Sequence, residues 1–200
     1  VLALWALIGL LVPRANVYGG MAPFGVGVAA AVSGPASIAV YLATIVGYLL
    51  PGGAVLPLRY MAAVLAVAGI KWSLSGIKHI SRHGFFAPLM AFIATACTGI
   101  ALNVVNGTSA YTILVVVAES LLAGGFAYFC TTAMRVVEEG QTGTILTAQE
   151  QSSVVVVGAV ALMAISGIAF SGISPGRIIA VMVILLLARC GKEQAGSIAG

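Results

Sequence analysis

Long apolar runs without a charged residue are the feature of this 200-residue sequence that most restricts its fold. Residues 154–165 and 178–188 are two such runs. Only 7% of the residues are charged, Asp is absent, and 61% are hydrophobic. A soluble fold could not cover its surface with so few charges, and disordered chains are poor in apolar residues. The sequence therefore predicts a polytopic membrane protein.

The same runs predict helices, because a membrane barrel would show alternating apolar and polar residues. At about 20 residues per span, we expect an all-α membrane helix bundle of about seven or eight transmembrane helices. Residues 1–200 are expected to form a single transmembrane domain and to be a fragment of a longer protein. The predicted spans cover residues 1–12, 21–50, 56–70, 87–105, 111–137, 153–170 and 177–188, and residues 138–151 are the longest polar loop.

Two points of this plan stay open. Ser33, Gly34 and Pro35 interrupt residues 21–50, which form either one kinked helix or two short ones. One helix places Arg14 on the cytoplasmic side and two place it outside, and the charge pattern mildly favours the first. The positive-inside rule places the uncharged turn at residues 103–109 outside. The cytoplasmic cations are then Lys71, Lys78, Arg82, Arg135, Arg189 and Lys192.

The sequence predicts no catalytic, cofactor-binding or metal-binding residues. Nucleotide-binding, hydrolase and zinc-protease motifs are absent. His79 and His83 have a metal-capable spacing, but the neighbouring Lys78 and Arg82 disfavour a bound cation. The net charge of +4 is interpreted as an orientation signal, so no nucleic-acid partner is expected. The isolated cysteines are interpreted as packing residues: Cys97, Cys130 and Cys190.

Glu119 is the one ionisable residue predicted well inside a span, which makes it a functional-site candidate. It is either a proton or cation site or a group that fixes helix packing, with Ser120, Thr131 and Thr132 as candidate partners. No second ionisable group is predicted in a span core. Because a transporter usually needs several such groups, packing is the preferred interpretation.

A basic stretch at residues 71–83 predicts a helix on the inner leaflet, with Lys71, Lys78 and Arg82 facing anionic lipid. A plain cytoplasmic loop explains this stretch equally well. Small residues predict close helix packing and favour self-association: Gly25, Gly27, Gly47, Gly124, Gly125 and Gly158.

Four stretches, taken in order, resemble the membrane region of the stage II sporulation protein E family. They are Arg14 followed by the Ala-Pro-Phe-Gly of residues 22–25, the Glu119-containing residues 118–124, the polar residues 146–152, and residues 177–188 with the glycine-rich residues 191–200. The resemblance implies ten spans in the whole membrane region with both ends cytoplasmic. It therefore favours two helices within residues 21–50.

The resemblance implies a function as the membrane-anchoring and oligomerising region of a serine phosphatase at the asymmetric septum of a spore-forming bacterium. Its implied partners are the lipid bilayer, other copies, the cell-division machinery and an anti-anti-sigma factor, whose dephosphorylation activates the forespore sigma factor. The manganese-dependent phosphatase domain would follow this chain, so no enzyme activity or cofactor is expected here. The alternative is a small transporter or permease subunit with Glu119 as an intramembrane proton or cation site.

Overall fold

A computed structural model describes residues 2–17, 20–34, 36–50, 57–74, 84–139, 147–166, 179 and 181–182. Across these residues the fold is all-helical, apart from one isolated bridge between Val17 and Met21. The all-α prediction is therefore confirmed for this part of the chain. The helices are α1 (Leu2–Leu11, continued by a 3-10 turn at Val12–Arg14), α2 (Phe24–Ala31), α3 (Ala36–Leu49), α4 (Pro57–Leu74), α5 (Phe86–Asn106), α6 (Ala110–Glu139) and α7 (Ala148–Ser166).

Three helices in the described ranges are long and apolar enough to cross a membrane, namely α5, α6 over Ala110–Val137, and α7. The helices α1 and α3 are apolar but shorter. With eight residues, α2 is only about 12 Å long, well short of the ~30 Å hydrocarbon core of a bilayer. The bundle therefore combines full-length helices with shorter ones.

Residues 21–50 form two helices rather than one kinked helix. The helix α2 ends at Ala31, and the chain turns at Gly34, whose φ of +81° is readily adopted only by glycine. The Ser37 hydroxyl donates a hydrogen bond to the Gly34 carbonyl oxygen at 2.7 Å, at the start of α3. The predicted interruption at Ser33 and Gly34 is thus confirmed, and the two-helix alternative is the correct one.

The short helix α2 lies in the middle of the bundle. All eight of its residues are buried, and it packs against α6, α4 and α5. Gly27 lets α2 approach the backbone of α6 closely, since a Cβ there would lie 3.0 Å from the Ala123 carbonyl oxygen. On the same face of α2, Phe24 packs edge-on against Phe126 of α6, with ring centroids 5.0 Å apart. The core is therefore built around α2.

The contacts fix the relative directions of the helices. Gly47 of α3 lies against Leu10 and Pro13, and Gly9 of α1 lies against Val40 of α3, so α1 and α3 run in the same direction. Gly107, with a φ of +93°, lies in the short turn that joins α5 to α6 and reverses the chain. We call the end of the bundle that carries residues 107–109 the turn end.

Two predicted boundaries are corrected by the structure. Residues 138–151 were predicted as a loop, but α6 runs to Glu139 and α7 begins at Ala148. The early start of α7 has a local cause. The Glu150 carboxylate accepts hydrogen bonds from the Thr147 amide at 2.9 Å and the Thr147 hydroxyl at 2.8 Å, the arrangement of a capping box. The predicted span at 177–188 lies almost entirely outside the described residues.

Candidate functional site

Glu119 lies inside the bundle and forms an ion pair with Arg59 of α4. The Glu119 side chain is fully buried and that of Arg59 is 10% exposed, with Nη2 2.6 Å from Oε2. The two atoms are close enough for an ion pair, but their geometry is not that of a hydrogen bond. Because an isolated buried charge is very costly, each group offsets part of the cost of burying the other.

Two tyrosines connect this ion pair to the chain segment that leads into α2. The Tyr60 hydroxyl donates a hydrogen bond to Glu119 Oε1 and accepts one from the Ala22 amide at 3.1 Å. The Tyr48 hydroxyl donates to the Ala22 carbonyl oxygen at 2.7 Å. The two rings stack with centroids 5.3 Å apart. Both backbone groups of Ala22 are therefore satisfied by side chains from α3 and α4.

The opposite end of α2 is held by a cation. Lys71 of α4 donates a hydrogen bond from Nζ to the Val32 carbonyl oxygen at 2.7 Å, directly after α2 ends. A helix carries partial positive charge at its N-terminus and partial negative charge at its C-terminus. The anionic Glu119 near the start of α2 and the cationic Lys71 at its end both match that polarity. The arrangement stabilises a short helix whose ends lie inside the protein.

Glycines make room for the charged and aromatic side chains. A Cβ at Gly99 of α5 would lie 2.5 Å from Arg59 Nη2 and 2.7 Å from Val116. A Cβ at Gly25 would lie 2.6 Å from the Tyr48 hydroxyl oxygen. Any larger residue at these positions would displace Arg59 or Tyr48 from the cluster. We call Arg59, Tyr60, Tyr48, Glu119 and Ala22 the buried cluster.

Both oxygens of the Glu119 carboxylate have a partner inside the bundle. One oxygen faces the Arg59 guanidinium, and the other accepts a hydrogen bond from the Tyr60 hydroxyl. Arg59 and Tyr60 belong to α4 and Glu119 to α6, so these contacts connect the two helices.

The candidate partners predicted for Glu119 do not contact it in this arrangement. The Ser120 hydroxyl donates to the Val116 carbonyl oxygen at 2.7 Å, and Thr131 and Thr132 donate to carbonyls of their own helix. The sequence predicts no second ionisable group in a span core, and the structure pairs Glu119 with Arg59 from near the start of α4. One feature of the sequence points to Arg59 as a partner, namely its position inside the predicted span 56–70, where it is the fourth residue.

The predicted inner-leaflet residues divide into two groups. Lys71 belongs to α4 and binds Val32, so its ammonium is held within the protein. Lys78 and Arg82 lie outside the described residues, as do His79, His83 and Cys190. Cys97 is exposed on α5, whereas Cys130 is buried on α6. The lipid-facing role of Lys78 and Arg82 stays a prediction.

The glycines predicted to mediate packing fall into two groups. Gly25, Gly27, Gly47 and Gly124 each lie where an added Cβ would come within 3.0 Å of a neighbouring atom. Gly125 and Gly158 have no such neighbour within 4 Å. Close helix packing is therefore confirmed at four of these positions.

Among the described residues, no group of three or more His, Cys, Asp or Glu side chains is placed to hold a metal ion. Comparisons with protein-family models, curated proteins and solved structures found no match for this chain. The described residues thus define an all-helical bundle with three helices able to cross a membrane and a charged cluster at its core.

Proposed function

We propose that this chain is the membrane-anchoring and oligomerising region of a sporulation serine phosphatase of the stage II sporulation protein E type. The observation that carries this proposal is the state of Glu119, fully buried and paired with Arg59 and Tyr60. A carboxylate held in this way stabilises a scaffold and is poorly suited to binding and releasing an ion. The bundle would hold a catalytic domain at the septum and promote self-association by confining copies to the membrane plane.

Residues from the stretches that resemble the family make structural contacts in this protein, which supports the proposal. Ala22 and Gly25 belong to the Ala-Pro-Phe-Gly stretch and contact Tyr60 and Tyr48. Glu119 belongs to the second stretch. Thr147 and Glu150 belong to the third and form the cap of α7. Two of the four stretches therefore supply contacts inside the bundle, and a third caps α7, as expected for an anchor.

We further propose that all seven described helices cross or enter the bilayer in alternating directions and that residues 177–188 add an eighth span. In this plan Lys71 and Arg135 lie on the cytoplasmic side, while the turn end faces outward. The two-helix form of residues 21–50 places Arg14 on the outer side. The septum would be the site of this multi-pass protein during sporulation.

The test is to follow the chain, fused to a fluorescent protein, in a sporulating bacterium. We expect accumulation at the asymmetric septum, and co-purification of two differently tagged copies. Glu119→Gln should reduce both, because it leaves the Arg59 charge unpaired. Glu138→Gln, which makes the same chemical change near the C-terminal end of α6, is the matched control. Unchanged localisation and self-association in Glu119→Gln would contradict the proposed role of Glu119, and a uniform membrane distribution of the parent chain would contradict the anchor.

A second candidate function is a small transporter, favoured by the short, buried helix α2. Transporters bind substrates where discontinuous helices end inside the membrane, with charged groups nearby. Proton-dependent uptake into liposomes that is lost in Glu119→Gln would favour this function over the anchor. The Arg59 ion pair is the observation that places it second.

A further inference from the structure

The end of α1 and the start of α2 lie at the level of Glu119. Pro13, in the 3-10 turn that ends α1, lies against Gly25 of α2, where an added Cβ would be 2.9 Å from Pro13 Cγ. The Ala22 amide, just before α2, donates a hydrogen bond to the Tyr60 hydroxyl, which in turn donates to Glu119 of α6. The chain therefore passes from α1 to α2 at the depth in the bundle where the buried cluster lies.

The helix α5 indicates how deep that level lies in a bilayer. Its 21 residues are about 31 Å long, which matches the ~30 Å hydrocarbon core. Val104, near the end of α5, is 70% exposed, as expected for a side chain in contact with lipid. Gly99 lies beside Arg59, the partner of Glu119, and is seven residues, or about 10 Å, from the end of α5. With α5 across the core, the level of Glu119 is about 10 Å inside it, measured from the turn end.

The connection between α1 and α2 is too short to leave the core on that side. Met21 is next to Ala22 in the chain, so their Cα atoms are only about 4 Å apart. Val17 forms an antiparallel bridge with Met21, and the Gly20 amide donates to the Val17 carbonyl oxygen at 3.0 Å. Only a single tight turn therefore lies beyond this pair. Along α6, by contrast, the turn end begins about 14 Å from Glu119.

The lengths of α1 and α2 fit a path that approaches this level from the cytoplasmic side and goes back. Residues 2–14 form about 20 Å of helix, which is the depth that remains of the ~30 Å core. After α2, the Val32 carbonyl oxygen accepts the hydrogen bond from Lys71, a cytoplasmic cation in the proposed topology. Apolar helices of about 10 to 14 residues are typical of buried or re-entrant segments rather than of complete spans.

The described part of the connection also has the hydrogen bonds that non-helical backbone needs at this depth. Lipid offers no hydrogen-bond partners, so protein groups must satisfy the backbone there. The Val17 amide donates to the Met21 carbonyl oxygen at 2.7 Å. Both backbone groups of Ala22 are satisfied by Tyr60 and Tyr48. These contacts allow the chain to turn inside the hydrocarbon core.

We propose that α1 and α2 form a re-entrant hairpin, which enters the bilayer from the cytoplasmic side, turns back in the outer leaflet beside Glu119 and returns to the cytoplasmic side. Neither helix then completes a crossing, and Arg14 lies in the outer leaflet. The contacts of Ala22 with the two tyrosines hold the hairpin at this depth. The re-entrant hairpin rests on α5 crossing the bilayer and is independent of the sporulation role.

Spin labels on the full chain in lipid vesicles measure the depth of the hairpin. The native cysteines are first replaced by Ala, and a nitroxide is attached to single cysteines introduced by Met21→Cys, Val117→Cys and Thr108→Cys. Val117 is two residues from Glu119 on α6 and is 47% exposed, so it is the control at matched depth. Thr108, in the exposed turn, marks the outer aqueous side. Relaxation of each label is measured with oxygen, which enters hydrocarbon, and with a polar nickel complex, which does not.

We expect the nickel complex to relax the Met21→Cys label at least about tenfold less than the Thr108→Cys label, with an oxygen-to-nickel ratio like that of Val117→Cys. Val17→Cys should behave like Met21→Cys and serves as a second variant if that protein folds poorly. A ratio at Met21→Cys like that of Thr108→Cys would overturn the hairpin. If Val117→Cys then stays in hydrocarbon, the connection reaches outside water, and if it does not, the whole level lies outside the core. Neither result depends on septal localisation, which tests the anchor separately.

Discussion

At the residue scale, Arg59 and Glu119 are each costly to bury alone and tolerable only together. Removing one partner of a buried ion pair leaves an uncompensated charge, and such changes cost about 3–5 kcal/mol. We predict that Arg59→Met lowers the free energy of unfolding by about 3 kcal/mol or more. The free energy of unfolding is measured in mixed micelles with increasing amounts of a denaturing detergent.

The double substitution Arg59→Met with Glu119→Met provides the sharper comparison. Because it removes both charges, it should cost clearly less than the sum of the two single changes. Arg135→Met, at an exposed position of α6, is the control and should change stability little. Additive effects in the double variant would mean that the two side chains do not depend on each other.

Only half of this pair is predictable from the sequence. Glu119 stands out because a carboxylate in the middle of a long apolar run is expensive. Arg59 does not stand out because it lies near the end of a run, where a long cationic side chain ordinarily extends to the membrane surface. Tyr48 and Tyr60 look like ordinary apolar residues in the sequence. Their role depends on contacts with Ala22, which lies 26 and 38 residues away.

At the scale of the helices, Gly47 controls how closely α3 approaches α1. A Cβ there would lie 2.4 Å from the Leu10 carbonyl oxygen, so the backbones must separate. We predict that Gly47→Ala destabilises the bundle by about 1–3 kcal/mol. Gly125→Ala is the matched control, since no atom lies within 4 Å of its added Cβ. It should be neutral or stabilising, because Ala favours helix. Equal effects of the two substitutions would contradict this packing.

The start of α7 depends on its capping box. Thr147→Ala removes the hydroxyl that contacts Glu150, so the Glu150 amide in the first turn of α7 loses this hydrogen-bond acceptor. We expect faster hydrogen exchange of the amides of residues 149–152, with little change in α5. Ser166→Ala, at the other end of α7, is a control that should not affect these amides. Unchanged exchange would show that the cap does not define where α7 begins.

Helix positions were largely predictable from hydropathy, but helix ends were not. The apolar runs located α5 and α6 to within a few residues. The start of α7 does not follow from hydropathy, because Thr147, Gln149 and Glu150 are polar and are typical of a loop. The small size and complete burial of α2 were also not predictable, since its sequence is as apolar as that of a lipid-facing helix. What distinguishes α2 is the contacts of both its ends with Tyr60 and Lys71.

At the scale of the whole molecule, the alternating helix directions predict which turns share a side. Gly84, before α5, and Thr108, before α6, lie at opposite ends of α5. We predict that Gly84→Cys and Thr108→Cys, each in a cysteine-free background, react with an impermeant thiol reagent from opposite sides of the membrane. Gly84 accommodates a side chain, because no atom lies within 4 Å of its added Cβ. Reaction of both from the same side would show that α5 does not cross.

The central position of α2 has a consequence for how the protein is made. The partners of α2 come later in the chain, with Tyr60 and Lys71 in α4 and Ala123 in α6. A nascent chain that has emerged only as far as α3 holds an eight-residue helix that still lacks the contacts of Tyr60 and Lys71 at its two ends. That helix reaches its final surroundings only after Ala123 of α6 has been synthesised. We therefore expect a chain truncated after α3 to be degraded faster than one truncated after α6.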